Sequence, residues 1–259
     1  MRLLATVVLA GVLLFLLGPL VLVVIVSFSA NPLISLPLRG PTLDWYRRLA
    51  ADPEFWSALR NSLVIAATTA SLATITGTAA ALGLARAAAG QRTAMLVATA
   101  LPVMLPPLVL AVALVVFFAR VLALPLSPAT TIAAHLVITQ PFVLLVVLAR
   151  LASFDHACVD AARDLGASPW TAFRRVTLPN IRAALIGAWL IAAAVSLDDF
   201  ILTVFTIGRG NTLATFVWGR MKTTLDPSIN AIATILLVLT VGATLIALRL
   251  TRWRGGGGG

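Results

Sequence analysis

Six apolar stretches organise the chain, running approximately over 3–26, 61–85, 94–119, 129–149, 183–206 and 229–249. Each holds roughly 20 residues or more, the length an α-helix needs to cross a hydrocarbon core. The apolar residues are continuous and do not alternate, so the pattern predicts helices and not the strands of a barrel. The expected fold class is all-α: a polytopic membrane protein with six transmembrane helices, a single domain over 1–254. The closing Gly255–Gly259 reads as a disordered tail or linker outside that domain.

Local irregularities refine this picture. Pro102, Pro106 and Pro107 fall in the third stretch and predict a kink or a break there. The first stretch is followed by small residues, Ser27-Phe28-Ser29-Ala30, as a cleavage site would be. Its apolar run of about 24 residues is nevertheless longer than the core of a signal peptide, which predicts an uncleaved anchor. The polar segment at roughly 27–60 carries Trp45, Tyr46 and Trp56, which suit an amphipathic or interfacial helix.

Composition agrees with the pattern. The chain of 259 residues is 60% hydrophobic and 11% charged, with mean hydropathy +1.04, where a soluble domain carries about 25% charged residues. A formal net charge of +10 could suggest nucleic acid, but the basic residues are almost all arginines at the ends of apolar runs. That placement anchors membrane flanks, so the expected partner is the bilayer and not nucleic acid. With an even number of crossings both termini share one side. That side holds Arg2, Arg86, Arg92, Arg150, Arg163, Arg174, Arg175, Arg182, Arg249, Arg252 and Arg254; the other has fewer basic residues, which predicts cytoplasmic termini. One cysteine, Cys158, and two histidines leave no internal disulfide and no structural zinc site.

The joint between the fourth and fifth stretches is the most polar part of the chain. It reads Asp160-Ala161-Ala162-Arg163-Asp164-Leu165-Gly166, followed by Val176-Thr177-Leu178-Pro179. This predicts two short helices broken at Gly166, which suits a left-handed position after a helix end. Ser168 can cap the second helix with Pro169 in its first turn, and Asp155 can cap the first. Ala161 and Ala162 leave a smooth face that another surface can approach. A nucleotide-binding P-loop needs Gly-Lys before Ser or Thr, and the one lysine, Lys222, follows Met221.

The segment resembles the Glu-Ala-Ala signature of permease subunits of binding-protein-dependent ABC importers. It matches at Ala161, Ala162, Gly166, Leu178 and Pro179, with Val176 at the branched apolar site; Asp160 replaces the glutamate with a side chain one methylene shorter. The resemblance implies that Asp160, Ala161, Ala162, Gly166, Leu178 and Pro179 couple the chain to a separate ATPase and that the segment is cytoplasmic. ATP and magnesium would be bound by that partner, so this chain would have no catalytic residue, no metal and no cofactor of its own.

Asp198 and Asp199 lie inside the fifth stretch. A charge at membrane depth costs about 2.5–3.5 kcal/mol on insertion scales, so such residues usually face a cavity, a partner or a pathway. Neighbouring helical positions differ by about 100°, so the two carboxylates cannot point the same way. One can face a pathway for a cation while the other is capped or paired; a purely structural pair bonded to a neighbouring Ser, Thr or Arg is the other reading. Phe200, Trp189 and Trp218 could line such a pathway by cation–π contact, or could simply pack. His135, in the fourth stretch, reads as a hydrogen-bonded packing residue or a proton relay.

Here the resemblance narrows. Ser196-Leu197-Asp198-Asp199, Phe205, Gly208 and Pro227-x-x-Asn230-Ala231, with His135, Pro141-Phe142 and Arg150-Leu151, are similar to the C-type permease subunits of spermidine/putrescine importers. The chain departs where polyamine-type members can carry an acid after the proline of the third stretch; here Pro107 follows Pro106. The resemblance implies a bacterial inner-membrane permease for a small cationic or nitrogen-containing solute. It would pair with a second permease chain, two ATP-binding subunits and an extracytoplasmic substrate-binding protein, and work by alternating access. The acids alone also permit a secondary transporter or channel with Asp198 and Asp199 as a cation or proton relay.

Overall fold

The computed structural model describes residues 2–31, 40–223 and 227–253; the expected glycine tail at 255–259 lies outside them. The described residues form helices α1 (Arg2–Ser27), α2 (Asp44–Ala50), α3 (Pro53–Ala85), α4 (Ala89–Met104), α5 (Pro107–Val116), α6 (Pro128–Ala152), α7 (Ala157–Asp164), α8 (Pro169–Ala172), α9 (Leu178–Asp198), α10 (Ile201–Thr206), α11 (Leu213–Thr223) and α12 (Ser228–Trp253). Two wider π-type turns, Phe117–Val121 and Phe173–Thr177, continue α5 and join α8 to α9. Extended pairing among the described residues is limited to an isolated bridge between Ser29 and Pro41. The chain is all-α.

Four helical segments are long and apolar enough to cross a membrane: Thr6–Ser27 of α1, α3, α6 and the run Pro169–Asp198. The third expected stretch is not one straight helix. It is α4 followed by α5 and its π turn, bent by 100°. The cause is local: Leu105, which precedes a proline, takes ψ 145, and Pro106 takes ψ 131, because the ring of a following proline disfavours the helical region. Pro107 then starts α5 where its missing N–H costs nothing. The fifth expected stretch, 183–206, is also interrupted: α9 ends at Asp198 and α10 begins at Ile201. α12 stands at the sixth, and its described apolar part, Ser228–Gly242, is shorter than a full crossing.

α3, α6 and α9 form the central bundle. Ala66, Ala70, Ala73, Gly77 and Ala81 make a buried stripe of small residues along α3. α9 contributes Ala188 and Ala192, and α6 fills the seam with Val143, Leu144, Val147, Leu148 and Leu151. In lipid no hydrophobic force pushes helices together, so small residues that let backbones approach supply the association. The approach is close at Gly77, where an added Cβ would lie 2.6 Å from Val143 Cγ1.

A second cluster joins α2, α3, α11 and α12 through Trp45, Leu49, Phe55, Ala58, Leu213, Phe216, Ala231 and Ile232. Trp45, expected at an interface, is therefore a core residue, and its Nε1–H donates to the Ser29 carbonyl at 2.8 Å. Trp56 is the exposed one of the pair. Asp52 caps α3 by accepting the Glu54 N–H at 2.9 Å and also ion-pairs with Arg220, whose guanidinium sits over Phe216. A third cluster packs α10 against α5 and α6 through Leu110, Ala111, Phe118, Ala134 and Leu202. The chain leaves α10 at Gly208, with φ +67, where any Cβ would collide with the Leu126 carbonyl oxygen.

Gly208→Ala should therefore destabilise the protein by about 1–3 kcal/mol, from backbone strain plus collision. Gly187→Ala in α9, with open space around it, should not. Thermal unfolding of the two variants in the same detergent separates them: a lower Tm for Gly208→Ala alone is expected.

Candidate functional site: the coupling segment, the helix column and the acidic elbow

The polar joint folds as its residues dictate. Asp155 Oδ1 accepts the Ala157 N–H at 3.0 Å and so serves the start of α7. At the other end the Ala167 N–H reaches back to the Ala162 carbonyl at 3.0 Å and the Gly166 N–H to the Arg163 carbonyl at 2.9 Å. These are the two bonds of a Schellman stop, and Gly166 supplies the positive φ, +89, that the stop requires. Ser168 Oγ then accepts the Thr171 N–H at 3.2 Å, and Pro169 occupies the first turn of α8. Asp160 and Ala161 are exposed and Ala162 is half-buried. Leu165 and Trp170 beside the turn are 90% and 67% exposed, a high degree of exposure for large apolar side chains on a polar segment.

Leu178 and Pro179 do not stand with the alanines. They begin α9, directly after the π turn. Proline inside a helix lacks its donor, and its ring crowds the carbonyl four residues back. The widened turn Phe173–Thr177 precedes Pro179, which is where that crowding would fall. Asn180 Nδ2 donates to the Val176 carbonyl at 2.7 Å, and Arg150, at the end of α6, holds the Asn180 carbonyl from Nε and Nη2 at 3.2 and 3.1 Å. As a result α8, the π turn and α9 run as one column of 30 residues from Pro169 to Asp198, about 45 Å at 1.5 Å per residue.

The far end of that column is the acidic elbow. Asp199 has ψ 116 and leaves the helix. Its Oδ1 accepts the Thr203 N–H at 3.1 Å, which satisfies a donor at the start of α10, and the Thr203 hydroxyl donates to the Asp199 carbonyl at 2.8 Å. His135 lies 3.5 Å from the same carboxylate through Nε2. Asp198 is exposed and lines an open cleft of ≈ 410 Å³ with Ala194, Leu197, Leu236 and Thr240. The two acids thus divide: one is engaged by backbone and histidine, the other faces open space.

The remaining pathway candidates are not all in one place. Trp189 lines an adjoining apolar cavity of ≈ 240 Å³ that shares Ala194, Leu197, Leu236 and Thr240 with the cleft, and its Nε1–H donates to Ser71 Oγ at 3.1 Å. Phe200 belongs to a different group: its ring is 5.0 Å from that of Trp218, over which Lys222 Nζ lies at 5.2 Å. Among the described residues no cluster of His, Cys, Asp and Glu has the make-up of a metal site.

Comparison with known proteins sets the class. The family described as binding-protein-dependent transport system inner membrane component matches residues 73–254. The chain belongs to that family. The match contains the polar joint, the column and the elbow. Among relatives of this permease, the spermidine/putrescine transport system permease protein PotC of Haemophilus influenzae is 32% identical over 90% of this chain and 91% of its own length. The putrescine transport system permease protein PotI of Escherichia coli K12 is 35% identical over 86% of this chain and 82% of its own. Among solved structures, a chain of a bacterial alginate ABC transporter in complex with an alginate pentasaccharide-bound periplasmic protein superposes with TM-score 0.75. It is 19% identical and covers 100% of this chain and 96% of that one, a likeness of fold.

Sequence reasoning missed the break at Asp199 and the partners of His135, Ser196 and Thr203. Local spacing gave little signal: Asp199 stands one residue before the N-cap position, Phe200, and reaches the Thr203 N–H four residues on, outside the two- or three-residue spacing of an ordinary cap. If Asp199 acts at the elbow as a cap, Asp199→Asn, which keeps the Oδ1 acceptor, should leave the Tm nearly unchanged. Asp199→Ala should lose about 1 kcal/mol, read as a lower Tm of the purified protein; equal Tm losses in both variants would mean that the charge, and not the acceptor, matters.

Proposed function

We propose that this permease is one half of the membrane pathway of an ATP-driven importer for a small cationic, polyamine-like solute. A second permease chain encloses the pathway with it, two ATP-binding subunits sit on the cytoplasmic side, and an extracytoplasmic binding protein delivers the solute. Residues 1–254 act as one permease unit of the bacterial inner membrane, with α7, α8 and both termini in the cytoplasm, in keeping with the arginine distribution. ATP and magnesium belong to the partner subunits. The names of the relatives support the solute class, and family membership stands against the self-contained secondary transporter that the acids alone would permit.

One observation carries the mechanism: the exposed carboxylate of Asp198 terminates the same column that begins at the coupling segment. Asp160 and Ala161 offer a small, exposed face with Ala162 half-buried beside them, and Gly166 fixes the sharp turn between α7 and α8. Closure of the ATPases on that face moves α8, and the column carries the displacement as a rigid body to the elbow. Leu178 and Pro179 act inside the column, where the π turn and the Arg150 clamp keep it continuous with α6. At the elbow Asp198 presents a negative charge to a passing ammonium group, while the apolar wall shared with the Trp189 cavity accommodates an alkyl stem. The charge is expensive at membrane depth until a cation arrives, which favours an occupied pathway over an empty one. Phe200 contributes through the aromatic pair with Trp218 and not through the cleft.

The test is uptake of labelled putrescine by the assembled transporter in proteoliposomes. Asp198→Asn should lower kcat/KM by up to about fivefold, the factor that ~1 kcal/mol for an exposed ion contact represents, and Asp199→Asn should lower it far less. Unchanged kinetics for Asp198→Asn would remove that carboxylate from the pathway. Ala161→Trp or Gly166→Pro should abolish co-purification of the ATPase while the permease still inserts, and Asp160→Glu should be tolerated. Normal complex yield from both disruptive variants would refute the coupling assignment.

A further inference from the structure

The bonds around His135 show how the elbow is held. His135 stands on α6, is 1% exposed, and reaches both sides of the break. Its Nδ1 is 2.7 Å from Ser196 Oγ, in the last turn of α9, and its Nε2 is 3.0 Å from Thr203 Oγ1 on α10. The hydrogens can be counted. Thr203 has one hydroxyl hydrogen, and it goes to the Asp199 carbonyl. The Thr203 oxygen therefore accepts from His135, so Nε2 carries a hydrogen. In the neutral ring Nδ1 then has only a lone pair, and the Ser196 hydroxyl donates to it. Both ring nitrogens are satisfied in this tautomer, with the Asp199 carboxylate beside Nε2–H as a further acceptor.

The frame for this bridge is α6. Besides His135 it places Thr130, whose hydroxyl donates to the Thr206 carbonyl at 2.7 Å, and Thr131, whose hydroxyl lies 3.1 Å from that of Thr206. α10 is thus pinned to α6 at Thr203 and again at its last residue, Thr206. α9 arrives at the same frame as the end of the 30-residue column, and across the break it is joined to α10 by Asp199 and Phe200 alone. Ser196–His135 is the side-chain bond that ties the last turn of α9 to the frame. No water competes for it at this burial, so the geometry it imposes is well kept.

We propose that His135, donating through Nε2–H, is a positioning residue for transport: by bonding Ser196 and Thr203 at once it sets the angle of the elbow and so the place of Asp198 in the cleft. Its effect on transport rests on the pathway reading of Asp198; its effect on geometry does not.

The experiment keeps the two apart. In the assembled transporter, Cys158→Ser removes the chain's single cysteine and Asp198→Cys places a thiol at the end of the column. The rate of its modification by a membrane-impermeant, ammonium-bearing methanethiosulfonate is then measured. Adding Ser196→Ala or His135→Leu should change that rate by about fivefold, the factor corresponding to ~1 kcal/mol for one hydrogen bond. The rate at a control thiol, Arg47→Cys on the exposed face of α2, should stay the same. An unchanged rate at Asp198→Cys, or an equal change at both thiols, overturns the proposal. Should His135→Leu fail to assemble, the near-isosteric Ser196→Ala decides the matter. In putrescine uptake, Ser196→Ala should raise KM in the native background and add nothing in Asp198→Asn; equal effects in both backgrounds would count the serine as merely structural and refute positioning. If Asp198→Asn leaves uptake unchanged while the thiol rates respond, the pathway reading fails and the positioning of the elbow stands.

Discussion

Everything in this protein depends on how closely α3 lets its neighbours approach. Lipid is as apolar as leucine, so the central bundle cannot rely on expelling water to hold α3, α6 and α9 together. It relies on contact instead. The stripe Ala66–Ala70–Ala73–Gly77–Ala81 supplies a surface without protrusions, and the branched side chains of α6 enter it. Gly77 is the limiting point, because the space a Cβ would need is already taken by Val143. A tight seam of this kind supports α9 along the bundle, and the proposed transmission along the column relies on that support.

Against that rigid bundle the irregular places gain meaning. Backbone that leaves the helix at membrane depth must find partners for its donors and acceptors inside the protein. The two breaks meet this demand differently. At Leu105–Pro106 prolines remove donors, so less has to be satisfied, and the bend of 100° follows from steric exclusion. At Asp198–Phe200 no proline is present. The Thr203 N–H is satisfied by the Asp199 carboxylate, the Asp199 carbonyl by the Thr203 hydroxyl, and that hydroxyl oxygen accepts in turn from His135. The first break is built from missing groups and the second from a network of side chains, and a network can be altered by moving one member.

The legible and illegible parts of the fold follow from the same distinction. Helical runs, the Gly166 stop, the Ser168 and Asp155 caps and the weakness of the third stretch all depend on interactions within a few residues, and each was readable from residue type and spacing. The elbow was not. Val195 to Thr206 is apolar enough to pass as continuous helix, and the side chain bonded on both sides of the break is a histidine some sixty positions earlier, brought into range only by the α6–α9 packing. Trp45 failed for a related reason: an aromatic in a polar segment looks interfacial until α3, α11 and α12 close around it. His135 was readable as a bonded residue, but its partners lie across the bundle.

Placing two aspartates side by side resolves a conflict built into an intramembrane acid. A carboxylate that is well satisfied by the protein has little capacity left for a passing cation, and one that is unsatisfied destabilises the fold around it. Their separation by about 100° had helices continued would already point them apart; the break at Asp199 goes further and assigns the roles. Asp199 takes the local donors and pays for the elbow, so its neighbour owes the fold nothing. Asp198 is then held at the end of α9 by a backbone that does not need its side chain, with its carboxylate turned to the cleft. On the proposed pathway reading, a single acid at this point would have to serve both the start of α10 and the solute, and the pair separates the two tasks.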